Sequence, residues 1–233
     1  MLPLYDRNPT QRFPALTIAL IVACAAAFVW ELSFAAGGDE LAYATMIHSG
    51  GLVPFEITNW RDIGPPALVP LPFTAFTSMF LHADVMHLGG NMLYLWIFGN
   101  NIEDELGKVK FVLFYLAAGL AAAALQVVFS PASEVPMVGA SGAIAGVLGA
   151  YLVAYPHARV RSLVFLGFFV RVVDIPAGVL LGFWFLLQIL SSLAGGAGVA
   201  WWAHIGGFAF GALWFLGRRA LTPRNRRTAT WAP

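Results

Sequence analysis

Four polar side chains stand out in apolar stretches, where a polar group is costly unless it is paired or functional. They are His87 and Asn91 in Val85–Gly99, Ser141 at the start of Ser141–Tyr155, and His204 in Trp201–Gly217. Their types suit acyl transfer. A serine hydroxyl is a weak nucleophile until a base takes its proton, and imidazole is the usual base. His87 and His204 are the two histidines inside apolar stretches. Asn and His side chains can also donate to a tetrahedral oxyanion, each donor being worth about 3–4 kcal/mol in other acyl-transfer enzymes. Ser141 follows Gly139 and Ala140 at a helix start, where unpaired backbone N–H groups gather and negative charge is favoured. Taken singly, each residue fits a structural role as well. Ser141 lies among Gly139, Gly142, Ala145, Gly146 and Gly149, and Gly207 and Gly211 are four apart, both patterns that let helices approach closely.

The elements that must position these groups are membrane helices. Of the 233 residues, 59% are hydrophobic and 11% charged, against about 25% charged in soluble domains. Mean hydropathy is +0.75. A soluble enzyme, a nucleic-acid binder and a disordered chain are excluded on this ground; with a net charge of +1 and no basic run outside the tail, a nucleic-acid partner has no support. The lone Cys24 can form no intrachain disulfide and reads as a packing residue. No metal-ligand cluster or nucleotide loop is present, so no metal and no cofactor is expected.

Six segments meet or approach the ~20 apolar residues that span a bilayer: Pro14–Ala36, Val85–Gly99, Phe111–Phe129, Ser141–Tyr155, Ile175–Leu193 and Trp201–Gly217. The expected fold is an all-α six-transmembrane-helix bundle, with residues 1–13 a cytoplasmic segment, 14–218 the core and 219–233 a basic tail. Arg7, Arg12, Lys108, Lys110, Arg159, Arg161, Arg171 and the tail arginines share one side, which the positive-inside rule makes cytoplasmic together with both termini. The loops Gly37–Pro72, Ser130–Val138 and Ala194–Ala200 then face outward, and the first, punctuated by prolines and aromatics, reads as a folded, partly lipid-embedded piece. Arg159–Asp174 reads as an interfacial amphipathic segment. The expected location is a multi-pass position in a bacterial inner membrane.

Depth links the four groups. His87, Ser141 and His204 all fall toward the outer leaflet, and Asn91 lies one turn below His87 on the same helix face. Residues 141–155 make only ~22 Å of helix, short of the hydrocarbon thickness. The loop before Ser141 must therefore dip inward, which requires burial in protein or a water-filled cavity.

These residues resemble the rhomboid intramembrane serine proteases. The likeness rests on His87-Leu88-Gly89-Gly90-Asn91, on Gly139–Gly146 (GASGAIAG) around Ser141, on Ala203–Gly211 (AHIGGFAFG) around His204, and on the six-span plan over most of residues 14–218. It implies a Ser-His dyad with Ser141 as nucleophile and His204 as base and later acid, and an oxyanion hole from the Ser141 N–H, His87 and Asn91. Gly139, Gly142, Gly207 and Gly211 would be packing positions at the site, with the Gly207/Gly211 seam pressing the sixth span on the fourth. Substrates would be membrane-anchored proteins cut in or near a transmembrane segment. The sequence departs from the pattern of some members at Ala145, where an aromatic stacks on the imidazole, so His204 must be oriented by a neighbour on another span. Phe73 and Thr74 stand where some members carry a Trp-Arg pair, and Trp60-Arg61 is too far upstream to replace it. His82 resembles a further family histidine and reads as structural.

Two other functions compete. An inactive client-binding relative would usually have lost the serine or the base, and a solute transporter would need intramembrane charge or paired broken helices, which the spans lack. Lateral substrate entry is expected beside the fifth span, whose Phe183, Trp184 and Phe185 suit a movable seal.

Overall fold

The computed structural model describes residues 1–35, 39–166, 169–194 and 198–221. Arg224, Arg226 and Arg227 of the basic tail and the middle of the loop Ala194–Ala200 lie outside them.

Helix α1 (Ala15–Ala35) contains no Gly or Pro and starts directly after Pro14. Its first N–H groups are satisfied from elsewhere: the buried Glu103 carboxylate accepts from Leu16 N at 3.0 Å, Thr17 N at 2.7 Å and the Thr17 hydroxyl at 2.8 Å. An anion thus sits at the positive end of α1.

After residue 38 come α2 (Glu40–Gly50), capped by the Asp39 carboxylate accepting from Ala42 N, and α3 (Pro54–Asn59), which opens on proline and closes at Trp60 with φ 51°. Glu56 pins the following chain, accepting from Ile63 N at 2.9 Å while lying 3.2 Å from His48 Nε2. A single 3₁₀ turn, Leu71–Phe73, leads into the short α4 (Thr74–Thr77).

Helix α5 (Val85–Tyr94), capped by Asp84, continues through one π-helical turn (Leu95–Gly99) into α6 (Asn100–Leu106). The helical run is therefore longer than the apolar stretch Val85–Gly99, because Asn101 and Glu103 are buried with partners instead of marking a helix end. Gly107 at φ 75° turns the chain into α7 (Lys108–Phe129). Then follow α8 (Ser141–Ala154), α9 (Ala177–Leu193) and α10 (Trp201–Leu221). By length and apolarity α1 and α7 suffice to cross a membrane, and α8 and α9 are apolar but shorter.

Helix α8 is the axis of the molecule. Every residue from Gly142 to Tyr151 is buried, as expected of a helix that is apolar all round. Its glycines allow backbone contact with α10: a Cβ on Gly207 would collide with the Gly142 carbonyl oxygen, one on Gly211 with that of Gly146, and one on Gly149 with that of Phe208. Gly146 and Gly142 face α7 at Ala118 and Ala122 in the same way. Cys24 is free and wholly buried in the main core with Tyr115, Phe98 and Phe111.

The segment Arg159–Asp174 is extended: β2 (Arg159–Leu166) pairs antiparallel with β3 (Phe169–Pro176) on one side and with β1 (Leu2–Asp6) on the other. Alternating Arg with β-branched and aromatic residues is a strand pattern of period two. The second edge strand is supplied by the chain's first residues, Leu2 pairing with Leu163 and Asp6 with Val160, so no local reading could supply it. Val160 and Ser162 are buried, whereas Phe165, Val170 and Val172 are exposed. Arg7 pairs with Asp174 across the sheet at 2.9 Å.

Candidate active site

Ser141 is the first residue of α8, and Ala140 before it offers no side-chain cap. The first backbone N–H groups of α8 consequently have no partner inside the helix. Gly139 sets the approach. Its N–H donates to Ser78 O at 2.8 Å, its φ is 123°, and a Cβ there would lie 2.7 Å from His87 Cε1 and 3.6 Å from Asn91 Nδ2. Both the backbone conformation and the neighbouring His87 ring therefore require glycine. The same measurements put the His87 imidazole and the Asn91 amide against the residue two before Ser141.

His204 lies one turn into α10. Its Nε2 is 2.8 Å from Ser141 Oγ, and its Nδ1 is 2.8 Å from Gln188 Oε1 of α9. The Trp184 ring, one turn before Gln188, flanks the imidazole at 5.8 Å between centroids, and Trp201 meets it edge-on at 6.2 Å. The glycine seam between α8 and α10 brings the hydroxyl and imidazole this close. At the mouth of α10, Gln126 of α7 accepts from Ala203 N at 3.2 Å, and Trp202 stacks on Phe129 at 4.2 Å.

Ser141, His204, His87 and Asn91 line one cavity of about 990 Å³. Its further walls include Met86, Gln126, Trp184 and the residues 135–138 of the chain before Ser141. That segment is non-helical and is held by the bridge between Leu52 and Met137 and by Gly139 on Ser78. Asn91 is 8% exposed, and its amide nitrogen has no acceptor among the described residues. A buried donor without a partner is costly. Facing the cavity beside the Ser141 hydroxyl, it can donate to a group placed there.

His82 is buried, with Nδ1 3.1 Å from Phe80 O and its ring edge-on to His87 at 5.3 Å. Its backbone N–H donates to the wholly buried Glu31 carboxylate at 3.1 Å, and Tyr43 OH donates to its carbonyl. It supports the His87 ring from behind the cavity wall. The aromatic trio of α9 divides between two faces. Only Phe183 is exposed; Trp184 packs toward His204, and Phe185 stacks on Phe208 at 4.3 Å. The helical period turns residues 184 and 188 inward together. Gln188 is the site residue that sequence reasoning missed. The signal for it was a lone amide in an apolar helix, Ala177–Leu193.

Comparison with known proteins finds the Rhomboid domain over residues 72–220. The chain is 31% identical over 161 residues to Rhomboid protein 1, mitochondrial, of Saccharomyces cerevisiae, which covers 64% of this chain and 43% of that protein. It is 46% identical over 76 residues to Rhomboid protease GluP of Bacillus subtilis, covering 33% of this chain and 14% of the relative. It is 34% identical over 142 residues to Presenilin-associated rhomboid-like protein A, mitochondrial, of Danio rerio, covering 60% and 36%. The matches span less than half the length of these relatives.

Proposed function

The chain belongs to the rhomboid family of membrane proteins, and on that premise we propose that it is an intramembrane serine endopeptidase cleaving transmembrane segments of membrane-anchored proteins. The observation that carries the reading is the 2.8 Å hydrogen bond between His204 Nε2 and Ser141 Oγ inside a cavity. In the reaction, Ser141 passes its proton to His204 Nε2 as Oγ attacks the scissile carbonyl carbon. The tetrahedral oxyanion accepts hydrogen bonds from the Ser141 N–H and from the side chains of His87 and Asn91. His204 then gives the proton to the departing amine, leaving an acyl group on Ser141. Water, deprotonated by the same imidazole, attacks that ester and releases the second product. The substrate helix must unwind locally, since a hydrogen-bonded helix shields its carbonyls.

The six-span arrangement, with both termini cytoplasmic and the cavity toward the outer leaflet, belongs to this proposal and is supported by the charge distribution of the loops. The matched relatives include mitochondrial as well as bacterial proteins, so the expected bacterial inner membrane does not follow from the family. Labelling with a fluorophosphonate and cleavage of a model transmembrane substrate in detergent test the reading together. Wild type should be labelled at Ser141 and should cleave; Ser141→Ala and His204→Ala should do neither while keeping the wild-type thermal transition. Cleavage surviving in Ser141→Ala, or a folded wild type that takes no label, refutes it, the latter outcome pointing to an inactive client-binding protein.

A further inference from the structure

We infer that Gln188 is the positioning residue of the dyad, fixing the tautomer and the plane of the His204 imidazole; this rests on the protease reading above. Among the described residues, the hydrogen-bond partners of the imidazole are Ser141 and Gln188, and no carboxylate bonds it. The orientation of the Gln188 amide is set by its other end, where Nε2 donates to Trp184 O at 3.3 Å within α9. That turns Oε1 toward the ring, 2.8 Å from Nδ1. An amide oxygen can only accept, so Nδ1 carries the proton and Nε2 presents its lone pair to the Ser141 hydroxyl. The other tautomer would set two lone pairs against each other at Gln188 and leave Ser141 without a base.

Two residues of α9 thus flank the imidazole, Gln188 by its hydrogen bond and Trp184 by a tilted ring contact at 5.8 Å, where Ala145 of α8 offers a methyl group only. Gln188 is 7% exposed and packed in an apolar helix. A carboxylate in this place would have to be desolvated; a neutral amide supplies the same acceptor without that cost. Because both groups belong to α9, anything that displaces α9 releases the base from its tautomer.

The test uses the full-length protein in detergent, with wild type labelled by fluorophosphonate at Ser141 as the control for the protease reading. Gln188→Leu removes the acceptor at similar volume, and kcat should fall roughly 10- to 100-fold with KM within about threefold of wild type. Gln188→Glu restores an acceptor and adds a negative charge next to the ring, which favours the protonated imidazole. Its acidic limb of kcat/KM should therefore move to higher pH, while above that limb its rate should exceed that of Gln188→Leu. Recovery of rate on restoring an acceptor is what a packing role alone would not give. A folded Gln188→Leu with kcat within threefold of wild type overturns the inference. Should that variant fail to fold, Gln188→Met, which likewise lacks an acceptor, takes its place under the same thresholds. If wild type itself takes no label at Ser141, the protease reading has failed, and the inference with it.

Discussion

Adding one methyl group at Gly207 separates a tertiary argument from a local one. Alanine is favoured over glycine in a helix interior by roughly 1 kcal/mol, so helix propensity alone makes Gly207→Ala stabilising. The packing of α10 on α8 gives the opposite sign. A Cβ on Gly207 would overlap the Gly142 carbonyl oxygen, a backbone atom that cannot rotate away. Restoring an ordinary carbon-to-oxygen contact of about 3.3 Å requires α10 to retreat by roughly 1 Å. His204 lies three residues earlier on the same face, and its bond to Ser141 is already 2.8 Å. The same retreat would carry that bond past hydrogen-bonding range, and a misplacement of about 1 Å costs on the order of 100-fold in rate. The rate of fluorophosphonate labelling at Ser141 and kcat for a transmembrane substrate should both fall by about that factor, with KM changed far less. Thermal unfolding in detergent should move down or stay, but not rise. A variant labelled within threefold of the wild-type rate, or one with a raised transition, would show that the seam does not hold the dyad together.

Two further outcomes follow from groups away from the dyad. Glu103→Gln keeps one oxygen for Thr17 but loses the anion and the second acceptor at the start of α1, and should lower stability by roughly 1–3 kcal/mol; a denaturant titration in detergent with an unchanged midpoint would sink this. Burial raises the carboxyl of Asp6 above its ordinary value of 3.8, against the lowering effect of bonds from Tyr151 and Asn101. The folded state therefore holds this proton more tightly than the unfolded chain, so the linked stability is fully present below pH 3.8 and is lost as pH rises through the raised value. The difference in thermal transition between wild type and Asp6→Asn should change across that window and be flat above it; parallel curves throughout would contradict the assignment.

Much of the site could be read without coordinates because a membrane penalises polar groups. Within the apolar stretches Ser141, His204, His87 and Asn91 stand out by residue type and shared depth, and the glycine spacing marks where helices can touch. Residue order alone marks which side chains need an explanation, together with the start of α8 at Ser141. The tertiary structure decided how they meet. The partner of the imidazole, Gln188, lies 16 positions before it on a different helix, and the cap of α1, Glu103, lies 86 positions beyond Thr17. The hairpin β2–β3 acquires its third strand from the chain's first residues. Periodicity and local cost report what a residue needs, a solvent, a face or a partner, whereas the identity of that partner depends on which distant segments the packing of α8, α9 and α10 brings within bonding reach.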